Sequence, residues 1–160
     1  MSDRRRRIRA PLLDRLLDDD PDGPLERPPL RVLPRNDFAK SVVRDLSYLF
    51  NTRCTARIQS DGSKRAHTGT VIDYGLEDFS HLMPASHTDR ETLARAVKTA
   101  IMAFEPRLEI HRVAVNPIDG RHLAAEILVE AYLVADEVRE PVSFRVRVNT
   151  GEGTVELDGR

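Results

Sequence analysis

The sequence predicts an α+β fold, two main helices packed on one face of a small antiparallel sheet, with an N-terminal helical arm. Three observations carry this. Leu93, Val97, Ala100, Ile101 and Phe104 draw one apolar stripe at helical spacing and stop just before Pro106. The odd positions Leu123, Ala125, Ile127, Val129, Ala131 and Leu133 are all apolar, as are the even positions Val142, Phe144, Val146 and Val148. Runs of period two are strands with one buried face. Turn residues punctuate them: Asn116, Pro117, Asp119 and Gly120 before the first, Gly151 and Gly153 after the second.

Taken in order, the chain opens on Arg4, Arg5, Arg6, Arg7 and Arg9, followed by Asp14, Asp18, Asp19, Asp20, Asp22 and Glu26. Two readings of this charge asymmetry stand, a solvated terminus and an arm that orders on a partner. Pro11 to Leu17 predicts a short amphipathic helix, with Leu12, Leu13, Leu16 and Leu17 on one side and Asp14 and Arg15 on the other. Residues 18–34 hold Pro21, Pro24, Pro28, Pro29 and Pro34, the composition of an extended linker. Residues 1–34 therefore read as an arm, and 35–160 as one α+β domain; deleting residues 1–30 is expected to spare stability while weakening partner capture.

In that domain, Asn36 or Asp37 can cap a helix whose face is Phe38, Val42, Val43, Leu46, Leu49 and Phe50, with Asn51 as its stop. Residues 57–69 are polar, with a turn at Asp61-Gly62, and Gly69 to Tyr74 predicts a short strand before a bend at Gly75. Residues 80–88 read as loop. Thr88 and Glu91 have capping-box spacing for the second helix. After Arg107, apolar parity switches between Leu108/Ile110 and Val113/Val115, which predicts a bulge near His111-Arg112. A hairpin closed by Asp136 to Glu140 sets Leu133 opposite Val142, Ala131 opposite Phe144, Val129 opposite Val146 and Glu130 beside Arg145. Val155 and Leu157 make a short last strand.

Composition narrows the function. The 160 residues carry 25 basic and 26 acidic side chains, a formal net charge of −1 that gives no general field for nucleic acid or an anionic membrane. Cys54 is the lone cysteine, so no internal disulfide can form. No apolar run is long enough for membrane insertion, and the basic start is followed by no signal-type hydrophobic stretch, so a cytoplasmic address is expected. Aromatics are 5% of the chain and Trp is absent, so the core is one of Leu, Val and Ile.

Reactive groups are sparse. His67, His81, His87, His111 and His122 form no zinc-spaced set, and no phosphate-cradling glycine loop or nucleophile elbow occurs, so no metal or cofactor is expected. Cys54 lies beside Arg53 and Arg57 without an assigned base and reads as an inert thiol. A glycosidase needs two carboxyls about 5–9.5 Å apart. Glu105 and Glu109, if extended, lie about 13 Å apart at ~3.3 Å per residue. Glu105, Pro106 and Arg107 instead place two opposite charges at a rigid corner suited to recognising a surface, or simply to pairing with each other.

Four segments in order carry a family resemblance: Pro11-Leu12-Leu13-Asp14-Arg15-Leu16, Asp45-Leu46-Ser47-Tyr48-Leu49-Phe50-Asn51-Thr52-Arg53, Tyr74-Gly75-Leu76-Glu77-Asp78-Phe79, and Phe104-Glu105-Pro106-Arg107-Leu108. The set resembles TssE, the baseplate subunit family of bacterial type VI secretion systems. That family is similar to the wedge proteins of contractile-tailed phages, long labelled lysozyme-like. The resemblance spans about residues 11–155. It implies a non-enzymatic part of a cytoplasmic baseplate, on the cytoplasmic side of the inner-membrane secretion complex. Its implied partners are other wedge subunits and the contractile sheath, whose segments can add strands to the sheet. It implies partner-binding roles for Glu105, Pro106 and Arg107 and, as a separate contact, for Leu12, Leu13 and Leu16. Asn51, Arg53, Tyr74, Gly75 and Asp78 become structural motif residues. Two alternatives stand beside it, a peptidoglycan hydrolase and a regulatory module holding a single soluble partner.

Overall fold

The computed structural model describes residues 8–17, 32–54, 70–135 and 138–159. Its elements run β1 (Ile8–Arg9), α1 (Leu12–Leu16), β2 (Val32–Leu33), α2 (Arg35–Asn51), a 3₁₀ turn at Val71–Asp73, α3 (His87–Phe104), β3 (Leu108–Ile118), β4 (Arg121–Ala135), β5 (Val138–Asn149) and β6 (Thr154–Gly159). The last four strands form one antiparallel meander in the order β3-β4-β5-β6, and β1 pairs with β2 as a separate ribbon. The α+β architecture is as the patterning predicts.

Alternation decides which face is buried. Ala125, Ile127, Val129, Ala131 and Leu133 of β4 and Phe144, Val146 and Val148 of β5 point into the core. They join Phe38, Val42, Leu46, Leu49 and Phe50 of α2 and Leu93, Val97, Ala100 and Ile101 of α3 in one cluster. Each Val, Leu, Ile or Phe side chain among them contributes ~1.5–3 kcal/mol on leaving water. The parity switch in β3 is a bulge at His111, where the register moves between Ile110 and Arg112.

The hairpin register differs from the expected one by two residues. Ala131 pairs with Val142, Val129 with Phe144 and Ile127 with Val146, so Glu130 faces Ser143 and Arg145 faces Leu128. The cause is turn length. Ala135 pairs with Val138, so the ladder resumes three residues past β4 rather than beyond Glu140. A shift of two keeps every side chain on its face, which is why patterning alone cannot detect it.

Local chemistry moves several boundaries. α2 begins at Arg35, not at a cap on Asn36 or Asp37: Pro34 (φ −58°, ψ 149°) supplies the extended entry, and its carbonyl accepts from Asp37 and Phe38 N–H at 3.0 Å. α3 is capped by Ser86, whose Oγ accepts from Asp89 N–H, so Thr88 and Glu91 lie inside the helix. Pro106 ends it as expected: Glu105 leaves helical geometry at φ −125°, ψ 75°. The strand expected before Tyr74 is the 3₁₀ turn instead. Thr70 closes it, its carbonyl accepting from Asp73 N–H at 3.0 Å and its hydroxyl donating to the buried Asp73 carboxylate at 2.6 Å. The turn before β4 is also tighter, with β3 running through Asn116 and Pro117.

The N-terminal segment is packed on the domain where it is described. Ile8 and Ala10, with Leu33 of β2, belong to the hydrophobic core. That ties residues 8–10 to the stability of the fold, against the expectation that deleting the arm spares it. Expectations for Arg4 to Arg7, Asp18 to Arg31, Ala56 to Gly69 and the Asp136-Glu137 turn lie outside the described residues.

Candidate functional site

The leucine side of α1 is turned away from the domain. Leu12, Leu13 and Leu16 are 69%, 45% and 73% exposed, and Leu17 is exposed too. The side of α1 that meets the domain carries Asp14, whose carboxylate accepts from Ser41 Oγ at 2.7 Å and Arg44 Nη1 at 2.8 Å.

Ser41, Arg44 and Asp45 stand at i, i+3 and i+4, on one side of α2. Arg44 donates through Nε and Nη2 to Asp45 Oδ1 at 3.0 and 2.9 Å. Asp45 Oδ2 accepts from Arg107 Nη2 at 2.7 Å, and Ser41 Oγ from Arg107 Nη1 at 3.1 Å. Arg107 also grips both oxygens of Glu105. Three carboxylates and two guanidiniums thus form one connected cluster. The guanidinium of Arg107 lies 5.6 Å from the Phe38 ring centroid.

The proline corner is therefore turned inward. Glu105 is 4% exposed and Arg107 is partly buried, while Pro106 stays exposed. An outward-facing charge pair is not what the structure holds; the bend at Pro106 points both charged side chains back toward α2. Burial opposes the charge on Arg44 and Arg107, but their hydrogen bonds and attraction to the carboxylates outweigh it and hold both guanidiniums above their ordinary range. Burial, then the charges of Asp45 and Glu105, pushes the Tyr74 phenol up as well. Both oxygens of Glu105 and both of Asp45 accept from arginine, and Arg107 stands between the two acids. That geometry ties the corner to α2 through charge-assisted hydrogen bonds.

Beside the cluster lies a groove of about 360 Å³. Pro11 and Leu13 from the arm line it together with Tyr48, Tyr74, Phe104 and Pro106. Tyr74 packs edge-on against Phe104, ring centroids 5.2 Å apart. Leu12 and Leu16 do not line the groove; they stand exposed on α1.

Asn51, Arg53, Gly75 and Asp78 gather elsewhere, where the chain leaving α2 meets the chain after Gly75. Leu76 N–H donates to Thr52 O at 2.9 Å and Cys54 N–H to Leu76 O at 2.8 Å. Gly75 adopts φ 112°, and a Cβ there would lie 2.4 Å from Thr52 O, so glycine is required on both counts. Asn51 ends α2 through its side chain rather than a left-handed backbone: Nδ2 donates to Ser47 O at 2.9 Å and Val155 O at 3.1 Å. Arg53 lies over Phe79 at 4.3 Å and donates to Phe50 O and Gly153 O, which ties α2 to the turn before β6. Burial lowers the pKa of Arg53, with Asp78 opposing. Asp78 is exposed and accepts from Ser80 N–H and Oγ at 2.9 and 3.0 Å, contacts that hold its carboxyl below the usual range.

Sequence reasoning singled out neither Asp14, Ser41, Arg44 nor Asp45. The one available signal is the polar triplet at Ser41, Arg44 and Asp45 bordering the apolar face of α2. Among the described residues no cluster of three His, Cys, Asp or Glu could hold a metal ion, and no helix is long and apolar enough to cross a membrane.

The sequence matches the family model for baseplate wedge protein gp25 over residues 36–138, more than half of the chain. Among solved structures the chain is similar to a Geobacter sulfurreducens protein described as a tail lysozyme. The TM-score is 0.43 and the identity 17%, with 70% of this chain and 94% of that one covered. No curated protein matches it.

Proposed function

The chain belongs to the family of the baseplate wedge protein gp25, and on that premise we propose that it is a structural, non-enzymatic subunit of a type VI secretion baseplate, joining wedge subunits to the contractile sheath on the cytoplasmic side of the inner membrane. Membership of the wedge family is the observation that carries the reading. The ordered motifs from Pro11 to Leu108 favour the secretion branch of that family.

The geometry supports a part that works by shape. Glu105, Arg107 and Asp45 stiffen the corner from within, and exposed Pro106 with Leu12, Leu13 and Leu16 offers the surface that other wedge subunits grip. Asn51, Arg53, Tyr74, Gly75 and Asp78 hold the frame behind it. In this reading 35–160 form the wedge domain, Ile8, Ala10 and Leu33 of the N-terminal segment pack into its core, and α1 captures a partner. β3 is an eleven-residue edge strand whose outer backbone groups suit the addition of a sheath strand. No cofactor enters this role.

Co-purification tests it. The full chain, co-expressed with candidate wedge and sheath subunits, is expected to bring down more than one wedge subunit. Capture of a single soluble partner would favour a regulatory module, and a zymogram band lost on Glu105→Gln would overturn the reading in favour of a hydrolase.

A further inference from the structure

A leucine side chain gains by leaving water, yet α1 keeps Leu12, Leu13, Leu16 and Leu17 exposed. What holds it in that orientation is polar. The Asp14 side chain is 9% exposed and carries two hydrogen bonds, from Ser41 Oγ at 2.7 Å and Arg44 Nη1 at 2.8 Å. Hydrogen bonds are directional where apolar contact is not, so two of them on one carboxylate fix the rotation of a short helix about its own axis. The chain of contacts does not end there. Ser41 Oγ accepts from Arg107, and Arg44 and Arg107 share Asp45, so the bonds run unbroken from α1 to the Glu105-Pro106-Arg107 corner. Pro11 and Leu13 then line the same groove as Tyr48, Tyr74 and Pro106.

We propose that Asp14 is a positioning residue: it pins α1 with its leucines outward and so joins the leucine face and the Pro106 corner into one docking surface for a single wedge subunit. The sequence reading gave the arm and the corner separate contacts; the hydrogen-bonded chain makes them one. A pinned surface loses less freedom when a partner lands than an arm on a tether does. The docking half of this inference rests on the wedge reading above; the pin does not.

Two measurements on the full chain separate them. In amide hydrogen exchange on the isolated chain, Asp14→Asn is expected to speed exchange of residues 12–17 about tenfold while leaving α2 and the sheet unchanged. Arg44→Gln, which removes the other half of the ion pair, should do the same. Unchanged exchange at residues 12–17 in both variants overturns the pin. In capture of a co-expressed wedge subunit, Asp14→Asn is expected to weaken binding about tenfold. On a background of Leu12→Ala, Leu13→Ala and Leu16→Ala it should weaken binding no further, because the carboxylate acts through the leucines. Full additivity of the two changes overturns the joined surface. Capture untouched by the three leucine changes, with exchange faster in Asp14→Asn, overturns the docking reading and leaves the pin standing.

Discussion

Val146→Asp is expected to abolish folding. Val146 is fully buried in β5, between Ile127 of β4 and Leu157 of β6. A carboxylate there has no partner, and the effective penalty for a buried ion is several kcal/mol. Together with the lost burial of the valine, that is comparable with the lower end of the ~5–15 kcal/mol by which a domain is stable. Circular dichroism and a thermal melt are expected to show no cooperative transition. Ser143→Lys provides the control: position 143 is exposed, on the other face of the same strand and opposite Glu130, and a positive charge there should shift stability by no more than about 1 kcal/mol. A folded Val146→Asp protein would mean that β5 presents its other face to the core.

Arg107→Ala is expected to lower stability by about 3–5 kcal/mol, the cost of breaking a buried pair by removing one member. Glu105 then keeps a buried charge without its guanidinium, Asp45 loses its Oδ2 donor, Ser41 loses one hydrogen bond and Phe38 its cation contact. At ~2–4 °C per kcal/mol for a chain of this length, the melting midpoint should fall by about 10 °C. Arg107→Lys keeps the charge but not the fork that grips both oxygens, so it should cost less than alanine and more than nothing. A melting midpoint unchanged by Arg107→Ala would mean that the corner cluster contributes no net stability.

The two variants mark what could be read from sequence and what could not. Alternation along β4 and β5 identified the buried face, because one burial decision repeats at every second residue. The bulge at His111 showed as a change of parity, and Pro106 ended α3 by sterics that act between neighbours. Register was not legible, since a slip of two residues leaves the apolar pattern intact and only the turn length decides. The same holds for caps: Ser86 and Thr88 carry similar signals two residues apart. The cluster was least legible. Asp14, the Ser41 to Asp45 turn of α2 and Arg107 are far apart in the chain, and in a sequence where a third of the residues are charged no pattern says which charges meet. Which way the leucine face turns was not legible either. Amphipathicity states which side of a helix is apolar, but two hydrogen bonds on Asp14 decided which side faced the domain.

Glu105 is held through both oxygens by Arg107, Asp45 by Arg44 and Arg107, and proline, tyrosine and leucine side chains line the groove beside them. Rigidity of the corner and presentation of the arm are then two results of one cluster. Arg107→Ala should act mainly on stability, and Asp14→Asn mainly on where α1 points.

The most direct measurement of the proposed role is sheath assembly in cells that lack this chain, imaged with a fluorescent sheath subunit. The account predicts that no sheaths form. It also predicts that the wild-type chain restores them while a stably folded chain carrying Leu12→Ala, Leu13→Ala and Leu16→Ala does not. Sheaths of ordinary number and length in the absence of the chain would contradict it.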